Sequence, residues 1–220
     1  MDFQKEVKRL QKEINKRLEI FFKKKIKEAR EVSLLMSQMT KEISDQITKE
    51  INDLVLRGGK RIRPILVYYG YLASGGKKKK AILDAAISIE IIHNYLLIHD
   101  DIIDEDEFRR GKPTIHQKYK RIYQKISKEA EHLGISAAIV AGDLCSSFGY
   151  EVLTKSKFSD SLKIKALDKL NRIINEVGVE NGRRYNSGKK KPQTSCGKRI
   201  ILQKELNLYN AQLTKALLQV

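Results

Sequence analysis

Apolar residues recur every three or four positions along most of this chain, the spacing that gathers them on one face of an α-helix. Residues 4–31 set Val7, Leu10, Ile14, Leu18 and Phe21 among Lys and Glu, which predicts a packed amphipathic helix. A second helical stretch, 36–56, runs into Gly58-Gly59. A third, with Ile62, Ile65, Leu66, Tyr69 and Leu72, ends at Gly75-Gly76. Pro64 stands close to its start, where a missing N–H is tolerated. From Ala81 to about Asp104 the positions of Ala85, Ala86, Ile89, Ile92, Leu96 and Ile103 predict one long buried helix. Gly111-Lys112-Pro113-Thr114 breaks it, and helical patterns return over 115–128, 134–153 and 160–177. Ala137, Ala138, Ala141 and Gly142 make the 134–153 helix able to pack closely. The expected fold class is all-α.

Beyond Gly178 the pattern loosens into Asn181-Gly182-Arg183-Arg184-Tyr185-Asn186-Ser187-Gly188, the run Lys189-Lys190-Lys191 and Pro192, which reads as loop. Weak helical periodicity returns over 199–219. The expected organisation is one helical domain over 1–178 and a divergent basic tail over 179–220.

Composition agrees with helices: 7% of residues are aromatic and three are Pro, while 41% are hydrophobic, enough for one sizeable core. The net charge of +17 favours anionic partners without identifying them. The last 52 residues hold 11 of the 44 Lys and Arg but 3 of the 27 acids. Much of the excess therefore lies outside the motifs below; no nucleic-acid partner is expected, a basic helical nucleic-acid binder resting on the charge and on Lys189-Lys190-Lys191 being the third reading. Cys145 and Cys196 have no Cys or His at metal-ligand spacing, so both are expected as reduced thiols. The N-terminus carries no apolar secretory stretch and no apolar run approaches membrane-spanning length, so a soluble, cytoplasmic protein is expected. The basic first helix has a minor alternative, lying on an acidic membrane surface.

One constellation carries chemistry. Asp100, Asp101 and Asp104 sit within a helical turn, so three carboxylates project from one end of one helix. Clustered hard oxygen ligands suit Mg²⁺, with ligand oxygens completing the shell. His93 lies two turns earlier, and Arg109-Arg110-Gly111 follows with guanidinium groups suited to bidentate phosphate binding. Lys60-Arg61-Ile62-Arg63 precedes Pro64 at a helix N-terminus, an end predisposed to bind anions.

The ordered set Gly58-Gly59-Lys60-Arg61-Ile62-Arg63-Pro64, His93, Asp100-Asp101-Ile102-Ile103-Asp104 and Arg109-Arg110-Gly111 resembles the trans-isoprenyl (polyprenyl) diphosphate synthases over about residues 45–175. The resemblance implies a helical bundle of the isoprenoid synthase type and a prenyltransferase that joins isopentenyl diphosphate to an allylic diphosphate. By it, Lys60, Arg63 and His93, with Arg110, bind the diphosphate of isopentenyl diphosphate. Asp100, Asp101 and Asp104 hold Mg²⁺ against the allylic diphosphate, with Arg109 assisting. Tyr95 and Leu96 match positions that limit product length, and Tyr69 and Leu97 are further candidates for lining the prenyl cavity. The combination resembles geranylgeranyl-type enzymes, with farnesyl as the nearer alternative. A homodimer, or a heteromer with a full-length synthase, is implied as the assembly.

The chain departs from that pattern. The family's second aspartate-rich motif has no match: Asp168 is the last Asp, and Thr214-Lys215 reverses the order of the family's Lys-Thr element. The expectation is a C-terminally truncated or frame-shifted member with low activity alone. The alternative is a non-catalytic partner subunit of a full-length synthase.

Overall fold

A computed structural model describes residues 3–33 and 38–186, almost all helical. Cys196, the triple lysine, the weak helix at 199–219 and Thr214-Lys215 lie outside the described residues. Among the described residues seven helices run in the order α1 (Phe3–Ser33), α2 (Gln38–Leu56), α3 (Ile62–Ala73), α4 (Lys79–Ile103), α5 (Ile115–Tyr123), α6 (Ala130–Thr154) and α7 (Asp160–Asn186). Between α4 and α5, β1 (Phe108–Arg109) and β2 (Lys112–Pro113) form an antiparallel hairpin with Arg109 opposite Lys112. The all-α expectation holds, with this hairpin the one element that apolar spacing did not predict.

The chain divides into two compact units, Met1–Arg61 with Ile87–Glu151 and Ile62–Ala86 with Val152–Val220. In the first, α1 and α2 pack on each other through Leu10, Ile14, Leu18 and Phe22 and through Ile47, Ile51, Leu54 and Val55, all buried. The buried α1 stripe passes through Phe22, not the expected Phe21, because a strict spacing of four from Leu10 ends there. Phe21 instead meets Phe22 and Phe148 edge to face. With its apolar face buried in the fold, α1 has no free apolar stripe to lay on a membrane.

α4 and α6 approach closely at a glycine. A Cβ on Gly149 would lie 2.5 Å from the Ile92 side chain, and Ser88 Oγ donates to the Gly149 carbonyl at 2.7 Å. Cys145 beside them is fully buried, its Sγ donating to the Ile91 carbonyl at 3.3 Å, and burial pushes its thiol pKa up. α4 and α6 are both long and apolar enough to cross a membrane, where none was expected. For α4 that apolar length serves the core: 89% of its most apolar window is buried within the chain, against 44% for α6.

In the second unit α3 is apolar nearly all round, so its stripe has no unique phase. Its buried residues are Pro64, Ile65, Val67, Tyr68 and Tyr71, whereas the expected Ile62 and Leu66 are exposed. Tyr71 sets the phase: its ring meets Phe158 edge to face, and its hydroxyl accepts from the Lys78 N–H at 3.2 Å. α7 buries Ala166, Leu170, Ile173 and Val177 and continues through Gly178 to Asn186. The loop expected from Asn181 is therefore helical as far as Asn186. A single glycine lowers helix propensity by about 1 kcal/mol, too little to end a long helix by itself.

Candidate active site

The apolar run of α4 carries its last turn to the acids. Asp100 and Asp101 are 9% and 2% exposed, and Asp104 follows directly with its N–H donating to the Asp100 carbonyl at 2.8 Å. Glu105 takes a left-handed φ of 53° and turns the chain, while the Asp106 N–H returns to the Asp101 carbonyl at 2.9 Å. The helix thus delivers three carboxylates to one end, as their spacing predicted.

The hairpin brings guanidinium groups back to them. Arg109 Nε donates to Asp101 Oδ1 at 2.5 Å, Nη2 contacts the same oxygen, and Nη2 lies 3.6 Å from Asp106 Oδ2. Burial pushes the Asp101 carboxyl up to about 6; Arg109 pulls it down, and Asp106 and Asp104 push it up further. For Arg109, burial opposes the charge, but Asp101, Asp106 and Asp100 outweigh it and raise its pKa. An excess of carboxylate over cation at this end is the condition under which a divalent cation is stabilising.

Arg110 and Gly111 form the hairpin tip, both with positive φ (52° and 76°). Arg110 Nη1 donates to the Gly58 carbonyl at 2.8 Å and the Leu54 carbonyl at 3.4 Å, which fastens the hairpin to the Gly58-Gly59 turn. Lys60, next in that turn, is exposed, and its carbonyl accepts from Gln11 Nε2 at 2.8 Å. Burial lowers the pKa of Arg110; Glu90 opposes the shift, and Arg61, Arg109 and Arg57 add to it. Arg110 thus holds its charge beside the guanidinium groups of Arg61, Arg109 and Arg57, an arrangement that an anion would relieve.

His93 is buried on α4, seven residues before Asp100. Tyr95 is half-buried with its ring 5.0 Å from that of His99, and Leu96 and Leu97 are buried beside it. Gly142 of α6 approaches His99 so closely that a Cβ there would lie 2.2 Å from Nε2. Arg63, half-buried on the first turn of α3, and Tyr69 belong to the second unit.

Sequence reasoning passed over Arg61 and Glu90. Arg61 is 1% exposed with φ 50°, and every guanidinium nitrogen is engaged: Nε to Asn15 Oδ1 at 2.8 Å, Nη1 to Glu90 Oε1 at 2.6 Å, and Nη2 to the Val55 carbonyl at 2.8 Å. This pair ties α1, the end of α2 and α4 together under the Gly-Gly turn. Glu90, an acid inside an apolar helix, was the available signal. Arg57 and Thr114 were passed over too. Arg57 donates to the carbonyls of Pro113 at 3.2 Å and Arg109 at 3.5 Å, and Thr114 Oγ1 donates to the Asp106 carbonyl at 2.8 Å, so both hold the hairpin.

Among the described residues no three His, Cys, Asp or Glu side chains are gathered as a ready metal cage, since Asp101 is turned to Arg109. The donor chemistry nevertheless fits Mg²⁺: a buried carboxylate whose pKa is raised, flanked by two more on the same turn, gains from a hard cation.

An apolar core helix that ends in three carboxylates, with Arg109 of a short hairpin folded onto Asp101, is the arrangement this helical fold presents. The chain belongs to the polyprenyl synthetase family, whose model matches residues 44–194. It is 39% identical over 120 residues to a geranylgeranyl pyrophosphate synthase of Geoglobus acetivorans, a match covering 54% of this chain and 33% of that protein. It is 34% identical over 134 residues to the large subunit 1 of a heterodimeric geranylgeranyl pyrophosphate synthase of Arabidopsis thaliana, covering 58% and 31%. The solved structure of the geranylgeranyl pyrophosphate synthetase of Geoglobus acetivorans matches with a TM-score of 0.68 at 25% identity, covering 96% of this chain and 60% of that one. The matched segment spans about a third of the length of the curated relatives.

Proposed function

We propose that this chain is a prenyltransferase that joins isopentenyl diphosphate to an allylic diphosphate, in short-chain isoprenoid synthesis of the geranylgeranyl or farnesyl type. The observation that carries the reading is the carboxylate end of α4 with Arg109 on Asp101 and Arg110 fastened to the Gly58-Gly59 turn beside Lys60. Asp100, Asp101 and Asp104 would hold Mg²⁺. When bound, the metal supplies positive charge to the diphosphate oxygens as the allylic C–O bond breaks. Arg109 adds a fixed positive group on the same side, stabilising charge that develops in the transition state. Lys60, His93 and Arg110 would orient the diphosphate of isopentenyl diphosphate, so its double bond meets the allylic cation and the proton then lost passes to the released diphosphate. Leu96, Leu97 and Tyr95 exclude water from that cation and limit the growing chain.

The 220 residues contain one such carboxylate trio, and Asp168 is their last Asp. Held from one side only, the leaving diphosphate is weakly stabilised, so the 220-residue chain by itself turns over slowly. That observation also favours a second reading, a partner subunit that completes or regulates a full-length synthase. The domain boundary near 178 and a homodimer or heteromer belong to the same proposal.

The test is incorporation of radiolabelled isopentenyl diphosphate with dimethylallyl, geranyl or farnesyl diphosphate and Mg²⁺, with the chain alone and with a full-length synthase added. Mg²⁺-dependent product that disappears in Asp100→Ala supports the catalytic reading. No product alone, but altered rate or product length of the added synthase, supports the subunit reading. Neither effect overturns both.

A further inference from the structure

A cavity of about 510 Å³ opens in the first unit between the end of α2, the hairpin and α5. Its volume lies within the range of small-molecule sites, roughly 300–1,000 Å³. None of its lining residues has a role in the reaction proposed above.

Five cations, Arg57, Lys112, Lys118, Arg121 and Lys125, line it against one carboxylate, Asp53. Asp53 is already more than neutralised: Arg57 donates to Oδ2 from Nε and from Nη2 at 2.9 Å, and Lys112 Nζ to Oδ1 at 2.7 Å. The Arg57 side chain is 4% exposed, so it forms a fixed wall. Lys118 Nζ reaches the buried Glu50 at 2.5 Å. Lys118 and Arg121 are three apart on α5, Lys125 follows in the turn after it, and all three line the cavity, where like charges repel. A polyanion between them removes that repulsion.

The lining is apolar in part: Ile122 belongs to it and is 44% exposed. Phe108, outside the lining itself, is 56% exposed and lies under the guanidinium of the lining residue Arg121, 5.6 Å from its ring. Cations interleaved with open hydrocarbon match a ligand that carries both characters.

We infer that this cavity binds a phosphorylated amphiphile, its phosphate or diphosphate head held by Lys112, Lys118, Arg121 and Lys125 and its hydrocarbon chain laid on Ile122 and Phe108. Two sources share that chemistry, a free prenyl-type diphosphate and a phospholipid headgroup, and separate probes tell them apart.

The experiment titrates the full chain in EDTA with geranyl diphosphate by calorimetry. In parallel it measures co-sedimentation with phosphatidylcholine vesicles, with and without phosphatidylglycerol. Each is repeated with Arg121→Glu/Lys125→Glu and with Lys60→Ala/Arg63→Ala, helix content being checked by circular dichroism. Should the charge reversal lose helix, Arg121→Ala/Lys125→Ala takes its place under the same criteria. The expected result is binding of one probe that weakens about tenfold or more in the Arg121/Lys125 variant. The Lys60/Arg63 variant retains that binding. Geranyl diphosphate binding assigns a soluble ligand, and binding only to phosphatidylglycerol vesicles assigns a headgroup. Binding of neither probe, a smaller loss on changing Arg121 and Lys125, or loss in the Lys60/Arg63 variant overturns the assignment.

Discussion

Two arginine–carboxylate pairs lie in the same unit and do opposite things. Arg61 and Glu90 are both inside, at 1% and 3% exposure, and each guanidinium nitrogen of Arg61 has its own partner. Arg109 and Asp101 sit at the rim of α4, where Arg109 faces more acids than it can neutralise and Asp101 stays pushed up to about 6. A pair with all its donors committed to protein is scaffold. A pair left with surplus acid beside it is set up to accept a further cation.

The contrast breaks first at Arg61. Arg61→Ala strands Glu90 in the core and removes three hydrogen bonds, and is expected to cost about 3–5 kcal/mol in urea denaturation. A loss below about 1 kcal/mol contradicts the scaffold assignment. Glu90→Gln keeps shape and an acceptor but leaves the Arg61 charge unmatched, with an expected cost of about 1–3 kcal/mol by the same measurement.

Arg109→Gln sharpens the other side. It is expected to cost about 1–2 kcal/mol at pH 7.5, and close to nothing at pH 5. The sign follows from Asp101, whose value is raised from 3.8 to about 6 in the folded chain. Folded protein therefore binds this proton more readily than unfolded, so its contribution to stability is full below about pH 4 and is lost as pH rises to about 6. Without Arg109 the Asp101 value rises further, which carbon-detected titration of the carboxyl reads directly. An unchanged or lowered value contradicts the pairing. The smallest effect is expected at Arg172, whose exposed side chain meets Glu176 at 3.1 Å one turn away. Arg172→Ala should cost no more than about 0.5 kcal/mol, the baseline for a pair that is neither scaffold nor site.

The helices were legible because burial and periodicity coincide in them: Leu10, Ile14 and Leu18, or Ile89 and Ile92, are apolar for the reason that they are inside. Where a helix is apolar on every side that coincidence fails, so in α3 Ile65 is buried as expected but Ile62 and Leu66 are exposed, and Ile103 at the end of α4 is 42% exposed. The acids and arginines were legible as a motif, since Asp100, Asp101, Asp104, Arg109 and Arg110 are close in sequence. The hairpin that folds Arg109 onto Asp101 was not, because two-residue strands carry no period. Its turn rests on positive φ at Arg110 and Gly111 and on carbonyls held by Arg57, contacts made across more than fifty residues. Arg61 was hidden in a basic run that reads as solvated, and its partner lies 29 residues away.

The most direct measurement is calorimetric titration of the 220-residue chain with geranyl diphosphate, with and without Mg²⁺, in wild type and in Asp100→Asn/Asp104→Asn. The account predicts a Mg²⁺-dependent binding component that is lost in the double variant while helix content is unchanged. Binding that Mg²⁺ does not alter, or that persists in full without Asp100 and Asp104, would contradict it.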